Sequence, residues 1–230
     1  MKTLEEIDRL TKSSRILENG YVAMLDRLRA GVTERELAAE AHRVSYLEGA
    51  APLTFIYCGA GVRSSIEHLQ LSDYDCRDGD LVRFDMGVRF CDYHSDIGRT
   101  FACGISSQDQ VDIFRRVCET CEGVIAAMMP GVPGRDEYEV FRRGMGDLFT
   151  VFPLEWVASS VGLEIHESPF LGPRMNELLE VEMTFAIEIV LDFPDREGYH
   201  VEDPILIKED RPRRLIDLPN DTLAVKHASA

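Results

Sequence analysis

Residues Phe84–Phe101 read FDMGVRFCDYHSDIGRTF. Two β-like runs, Leu81 to Phe90 and Tyr93 to Cys103, are parted only by Cys91-Asp92, a two-residue break of the length that closes a hairpin. Strand side chains alternate between faces, so pairing the runs puts Asp96 opposite Gly87, with Asp85 one same-face step away along its own strand. Both carboxylates then point to one side of the sheet. Two further acids lie in strand-like apolar runs, Glu188 in TFAIEIV and Glu202 in YHVEDPILI.

Charge decides what such a set can be. Two carboxylates about 5 Å apart repel by roughly 3 kcal/mol at an effective dielectric of about 20. Four together must be protonated, hydrated or bridged by cations. Any one of them alone reads as a solvated strand residue. The set does not, because Phe84 and Met86 flank Asp85, and Glu188 sits between Phe185-Ala186-Ile187 and Ile189-Val190-Leu191. Charged side chains are rarely buried unless paired or bound.

The rest of the chain is organised around that set. Hydrophobic periodicity and breaker residues predict helices over 4–29, 34–48, 108–129 and 135–149. Strands are predicted over 53–58, 81–90 and 93–103, near 161–167, 182–191 and 199–208, with a short closing strand after 212. Leu28-Arg29-Ala30-Gly31-Val32 returns as Met128-Met129-Pro130-Gly131-Val132 one hundred residues later, each time between two helical segments. Thr33 to Glu36 (TERE) has the pattern of a capping box. The acids follow the same spacing, Asp85 and Asp96 recurring as Glu188 and Glu202. Two similar α/β halves, about 1–105 and 106–215, would then face each other across the acids.

Composition narrows the function classes. The 25 basic and 41 acidic residues give a formal charge of −16, which argues against a nucleic-acid phosphate surface. No apolar run approaches the roughly 20 residues that cross a bilayer. Met1 leads into a charged helix and not an apolar signal segment, and six scattered cysteines form no disulfide framework, so a reducing cytoplasm is the expected setting. Cys118 and Cys121 make a CxxC, but they share the periodic run Val111, Phe114, Val117, Cys121, Val124, Met128 and read as helix core.

FDMG, then HSDIGRTF, VGLEIHESPF, AIEI and VEDPILI, in that order, resemble the pita-bread metallopeptidase superfamily of methionine aminopeptidases, Xaa-Pro aminopeptidases, prolidases and creatinase. The likeness runs over nearly the whole chain from KTLEEIDRLTKSSRI, and SDIGRTF and GLEIHESP look closer to the proline-directed branch. It implies an α+β fold with two pseudo-symmetric halves around a curved antiparallel sheet. It also implies one catalytic-type domain over 1–230, without the N-terminal domain that proline-directed relatives carry. A dinuclear metal site is implied too, with Asp85, Asp96, Glu188 and Glu202 as four of its five ligands. The fifth, a histidine within Gly-His-Gly-Ile-Gly, is replaced: Ala158-Ser159-Ser160-Val161-Gly162 puts Ser159 at that position. One strong site on Asp85, Asp96 and Glu202 is therefore expected, with a second that is weak or empty. The expected ion is Mn or Co, with Fe, Zn or Mg as other candidates; an all-oxygen shell favours the harder ions.

The same resemblance gives the remaining roles. Glu188 is the expected general base, His166 stabilises the oxyanion, and His68 holds the scissile nitrogen of a short peptide or small amide. His94 either orients Asp96 or pairs in the sheet, and His42 and His227 read as surface. The expected activity is metal-dependent hydrolysis at a peptide N-terminus, of the Xaa-Pro aminopeptidase or dipeptidase kind. The competing readings are an inactive homologue that binds peptide or protein, and a metal-independent creatinase-like or tailoring hydrolase. A homodimer is left open, and either Glu164 or Ser160 could fill the vacated histidine position.

Overall fold

A computed structural model describes residues 1–51, 53–220 and 222–224; His227 lies outside them. Helices α1 (Leu4–Leu25) and α2 (Glu34–Leu47) lead into strands β1 (Phe55–Ala60), β2 (Leu81–Phe90) and β3 (Tyr93–Ala102). Helices α3 (Gln108–Ala127) and α4 (Gly134–Met145) then lead into β4 (Ala158–Ser160), β5 (Glu167–Leu171), β6 (Thr184–Leu191), β7 (Tyr199–Leu206) and the short β8 (Arg213–Arg214). Both helices of the first half begin on a complete capping box, Thr3 with Glu6 and Thr33 with Glu36. Each box satisfies two of the amides that a helix start leaves unbonded.

One antiparallel sheet runs β1-β2-β3-β7-β6-β4-β5, with β8 on β7. Apolar faces of α1 and α2 pack on β1 to β3 around Leu17, Tyr21, Leu37, Phe84 and Ile97. Those of α3 and α4 pack on β6 and β7 around Val117, Cys121, Phe141, Phe185 and Val201. Cys118 and Cys121 are thus core residues of α3, and Cys118 Sγ donates to the Asn220 carbonyl at 2.6 Å. Cys91, at the β2–β3 turn, is exposed. No helix among the described residues is long and apolar enough to cross a membrane.

The repeated pentapeptide has the same geometry in both copies. Gly31 and Gly131 hold φ of +82° and +87°, a left-handed conformation that side chains disfavour. Their amides donate to Cys76 and Leu179 carbonyls at 2.8 Å, and the following bridges, Thr33 to Asp75 and Pro133 to Leu178, also correspond. Each helix pair is therefore turned by the same device.

Several boundaries differ from the sequence expectation, α4 ending at Met145 and not 149 among them, and two have a clear cause. Helix α1 stops at Leu25, because the Arg27 and Leu28 amides reach only the carbonyls three residues back, tightening the chain before Gly31. The strand expected near 161–167 is a loop between β4 and β5. Register slips between Ser159 and Ser160, and the Glu167 carboxylate accepts from the Leu163 and Glu164 amides, drawing the backbone into a turn.

The halves meet where β3 pairs with β7, with Gly98 opposite Glu202. Behind this seam lies Arg99, fully buried. It donates to the Glu202 carbonyl at 2.6 Å and pairs with the Asp203 carboxylate, which also accepts from Arg214 Nε at 2.9 Å. Burial raises the Asp203 pKa, but the two guanidiniums outweigh it and hold the carboxyl below its ordinary value. Breaking a buried pair by removing one partner costs more than the pair is worth, since the other charge stays buried. Arg99→Met should lower unfolding free energy by about 3–5 kcal/mol, read as a shifted urea midpoint at unchanged slope.

Candidate metal centre

Strand register sets the site. Tyr57 pairs with Asp85, Asp85 with Gly98, Gly98 with Glu202, and Glu202 with Glu188, so one row crosses five strands and points to one face. Asp96 is two residues from Gly98 and opposite Gly87, on that same face, as the hairpin reading expected. Asp85, Asp96 and Glu202 are all at most 8% exposed, and one oxygen of each lies within 4.8 Å of the others. Glu188, at the cavity wall, keeps 17% side-chain exposure.

His200 joins them. It stands two residues before Glu202 on β7 and therefore on the same face. Its Nε2 lies 3.3 Å from Glu188 Oε1 and 3.6 Å from Glu202 Oε2, and it forms a second group with Asp85 and Glu188, again within 4.8 Å. Gly98 makes the space: a β-carbon there would collide with the His200 ring. Its two-residue spacing from Glu202 is the signal in the sequence that marks this histidine, and it goes unused in the expected ligand set.

Burial dominates the electrostatics. It raises Asp85 to about 6, with His200 opposing and Glu188 adding to the shift. Asp96 and Glu202 are pushed well above the carboxylate range, first by burial and then by each other's neighbours among the acids. Glu188 is raised by burial, against Arg83, His166 and His68. Burial likewise lowers His200 to about 3, so at neutral pH its ring is uncharged and its contacts with the glutamates are not ion pairs. Asp85 Oδ1, Asp96 Oδ1 and both His200 ring nitrogens are buried without a hydrogen-bond partner. Native interiors rarely leave such atoms alone, and oxygen donors with a neutral imidazole are what a divalent cation takes. The residues fit a metal.

A cavity of about 260 Å³ opens above the acids and is lined by His68, His166, Trp156, Tyr57 and Arg83 as well as Asp85, Asp96 and Glu188. His68 is exposed, at positive φ, with its ring tilted against Tyr57. His166 comes from the β4–β5 loop, and its Nδ1 is 3.0 Å from Ser159 Oγ. Ser159 is thus turned to His166 and belongs to neither ligand group. Glu164 is exposed and Ser160 also stands outside both groups. His94 pairs with Thr54 Oγ1 at 3.1 Å and through its amide with Gly162, a sheet-side role, and His42 lies on the surface of α2.

Comparison with known proteins identifies the fold and the family. The chain is 31% identical over 97% of its length to the Xaa-Pro dipeptidase of Pyrococcus furiosus, and it covers 65% of that protein. The solved prolidase from Pyrococcus furiosus superposes with a TM-score of 0.91 at 30% identity, covering 95% of this chain and 66% of that one. Dipeptidase PepE from Mycobacterium ulcerans gives a TM-score of 0.92 at 26% identity, covering 97% of this chain and 61% of that one. The chain spans about 60 to 65% of the length of the curated relatives it matches. The fold is the pita-bread fold of these prolidases. With residues 8–209 also matching the family model, the chain belongs to Metallopeptidase family M24.

Proposed function

We propose that this chain carries the hydrolytic centre of an Xaa-Pro dipeptidase-like or aminopeptidase-like metallopeptidase acting on short peptides. The observation that supports it most is the meeting of four buried or half-buried acids, two from each half, three of which line one cavity with His68 and His166. Asp85, Asp96 and Glu202 would hold a first divalent ion, with Mn or Co favoured, and a second would sit more weakly beside Glu188 because Ser159 cannot serve as a histidine ligand. The ions, when bound, supply Lewis acidity for the carbonyl and lower the pKa of a water.

The side chains do the rest. Glu188, whose carboxyl burial raises above its ordinary value, takes a proton from the attacking water. His166 faces the developing oxyanion, and a Ser159 hydroxyl donated to its Nδ1 leaves the proton on Nε2, the tautomer that can donate. His68, across the cavity, holds the leaving nitrogen. The catalytic-type domain is read as two pseudo-repeat halves, about 1–105 and 106–215, each giving two acids. A reducing cytoplasm suits a chain in which no disulfide joins the six cysteines. The altered loop at Ser159 favours one second reading, a homologue that holds peptide without cleaving it.

A panel of Xaa-Pro dipeptides assayed with Mn²⁺ separates these readings. Turnover is expected for the parent, and Glu188→Gln should lower kcat at least about a thousandfold while leaving the melting temperature within a few degrees. Metal bound without cleavage of any dipeptide would favour the peptide holder.

Acidity offers a second test. A carboxyl raised in the folded state binds more protons than the unfolded chain between the two pKa values, so stability falls as pH rises through that window. For Asp85 the window runs from the ordinary value near 4 to about 6, and Asp96 and Glu202 extend it upward. The metal-free chain should therefore lose stability from about pH 4 to about 6 through these acids, with His200, lowered to about 3, opposing part of the slope. Saturating Mn²⁺ should flatten that slope, because the ion replaces the protons, and calorimetry in buffers of different ionisation enthalpy should show protons released on binding.

A further inference from the structure

Ser159 leaves the second ion without its expected imidazole, yet an imidazole is present. We propose that His200 supplies the nitrogen ligand of the second divalent ion, with Asp85 and Glu188 as its oxygen partners. This rests on the metal-binding reading above and specifies how the depleted shell is completed, from β7 instead of β4.

Three observations carry it. His200 is fully buried, and neither ring nitrogen has a hydrogen-bond partner. An unsatisfied buried polar group is destabilising, so a ring serving only to fill space would be better replaced by an apolar one. Its Nε2 lies 3.3 Å from Glu188 Oε1, the separation of two ligands on one ion at bonds of about 2.1 Å, and Asp85 completes a group whose ligand atoms all fall within 4.8 Å. Finally, the sheet leaves a gap for the ring. Gly98 is the one residue of the cross-strand row without a side chain, and a β-carbon there would strike His200. The Thr100 hydroxyl fixes the ring's strand beside that gap, accepting from the His200 amide at 2.7 Å and lying 3.2 Å from the His200 carbonyl, to which it donates. Ser159, by contrast, is engaged with His166.

The test is a calorimetric titration of the metal-free full chain with Mn²⁺ alone, paired with ring ¹⁵N spectra of its histidines on adding Zn²⁺. The parent should take up two ions, the weaker one with a coordination shift at a single imidazole nitrogen. His200→Gln should weaken the second ion at least about tenfold, leave the first within about twofold, and abolish that shift. Gly98→Ala, which keeps the imidazole but closes its space, should weaken the second ion in the same direction, so the proposal stays testable if the first variant does not fold. Two ions bound by His200→Gln with parental affinities, or a parent that takes one ion with no shifted imidazole, would overturn the role of His200 while leaving the first site standing. A parent that binds no ion at all would overturn the metal reading and this inference together.

Discussion

The pairing of β3 with β7 is the constraint on which the molecule depends. On one side of this seam Gly98 and Glu202 continue the row of acids, and on the other Arg99 ties the two strands through the Glu202 carbonyl and the Asp203 carboxylate. Without it the sheet would separate into β1 to β3 and β4 to β7, each with its own helices and half of the acids. Backbone pairing at one point thus sets the spacing between side chains contributed from opposite ends of the sequence.

Neighbouring residues on β7 show how strand alternation sorts charge. Asp203 faces the helices and is fully paired, so its carboxyl is held below its ordinary value. Glu202, one residue earlier, faces the cavity among other acids, and its carboxyl is pushed well up. Both are buried; only the company differs. The first arrangement is complete in the protein alone. The second places like charges together without internal compensation, which a structural role does not require but a ligand would.

Much of this could be read from the chain because its signals are local. The hairpin register follows from strict alternation and a two-residue turn, and Asp96 does pair with Gly87. The helix pairs follow from amphipathic periodicity and capping boxes, and the doubled Gly-Val turns show in both halves. What escaped depends on contacts that no window of sequence contains. The spacing from Glu202 puts His200 on the ligand face, but its place among the acids shows only once β3 is known to lie beside β7, with Gly98 leaving room for its ring. Nothing local to Arg99 marks it as buried, but the fold encloses it. The strand expected near 161–167 fails because the Glu167 carboxylate gathers the Leu163 and Glu164 amides into a turn.

The division of the acids between the two halves has a thermodynamic corollary. Neither half alone possesses a complete ligand shell, so any cation held there binds only the joined form and stabilises it by RT ln(1 + [L]/Kd). Such an ion would act as a clasp as well as a reagent. Its availability would then govern how firmly the sheet stays closed along its centre line, and a chelator would loosen the molecule there before it disturbed either helical layer.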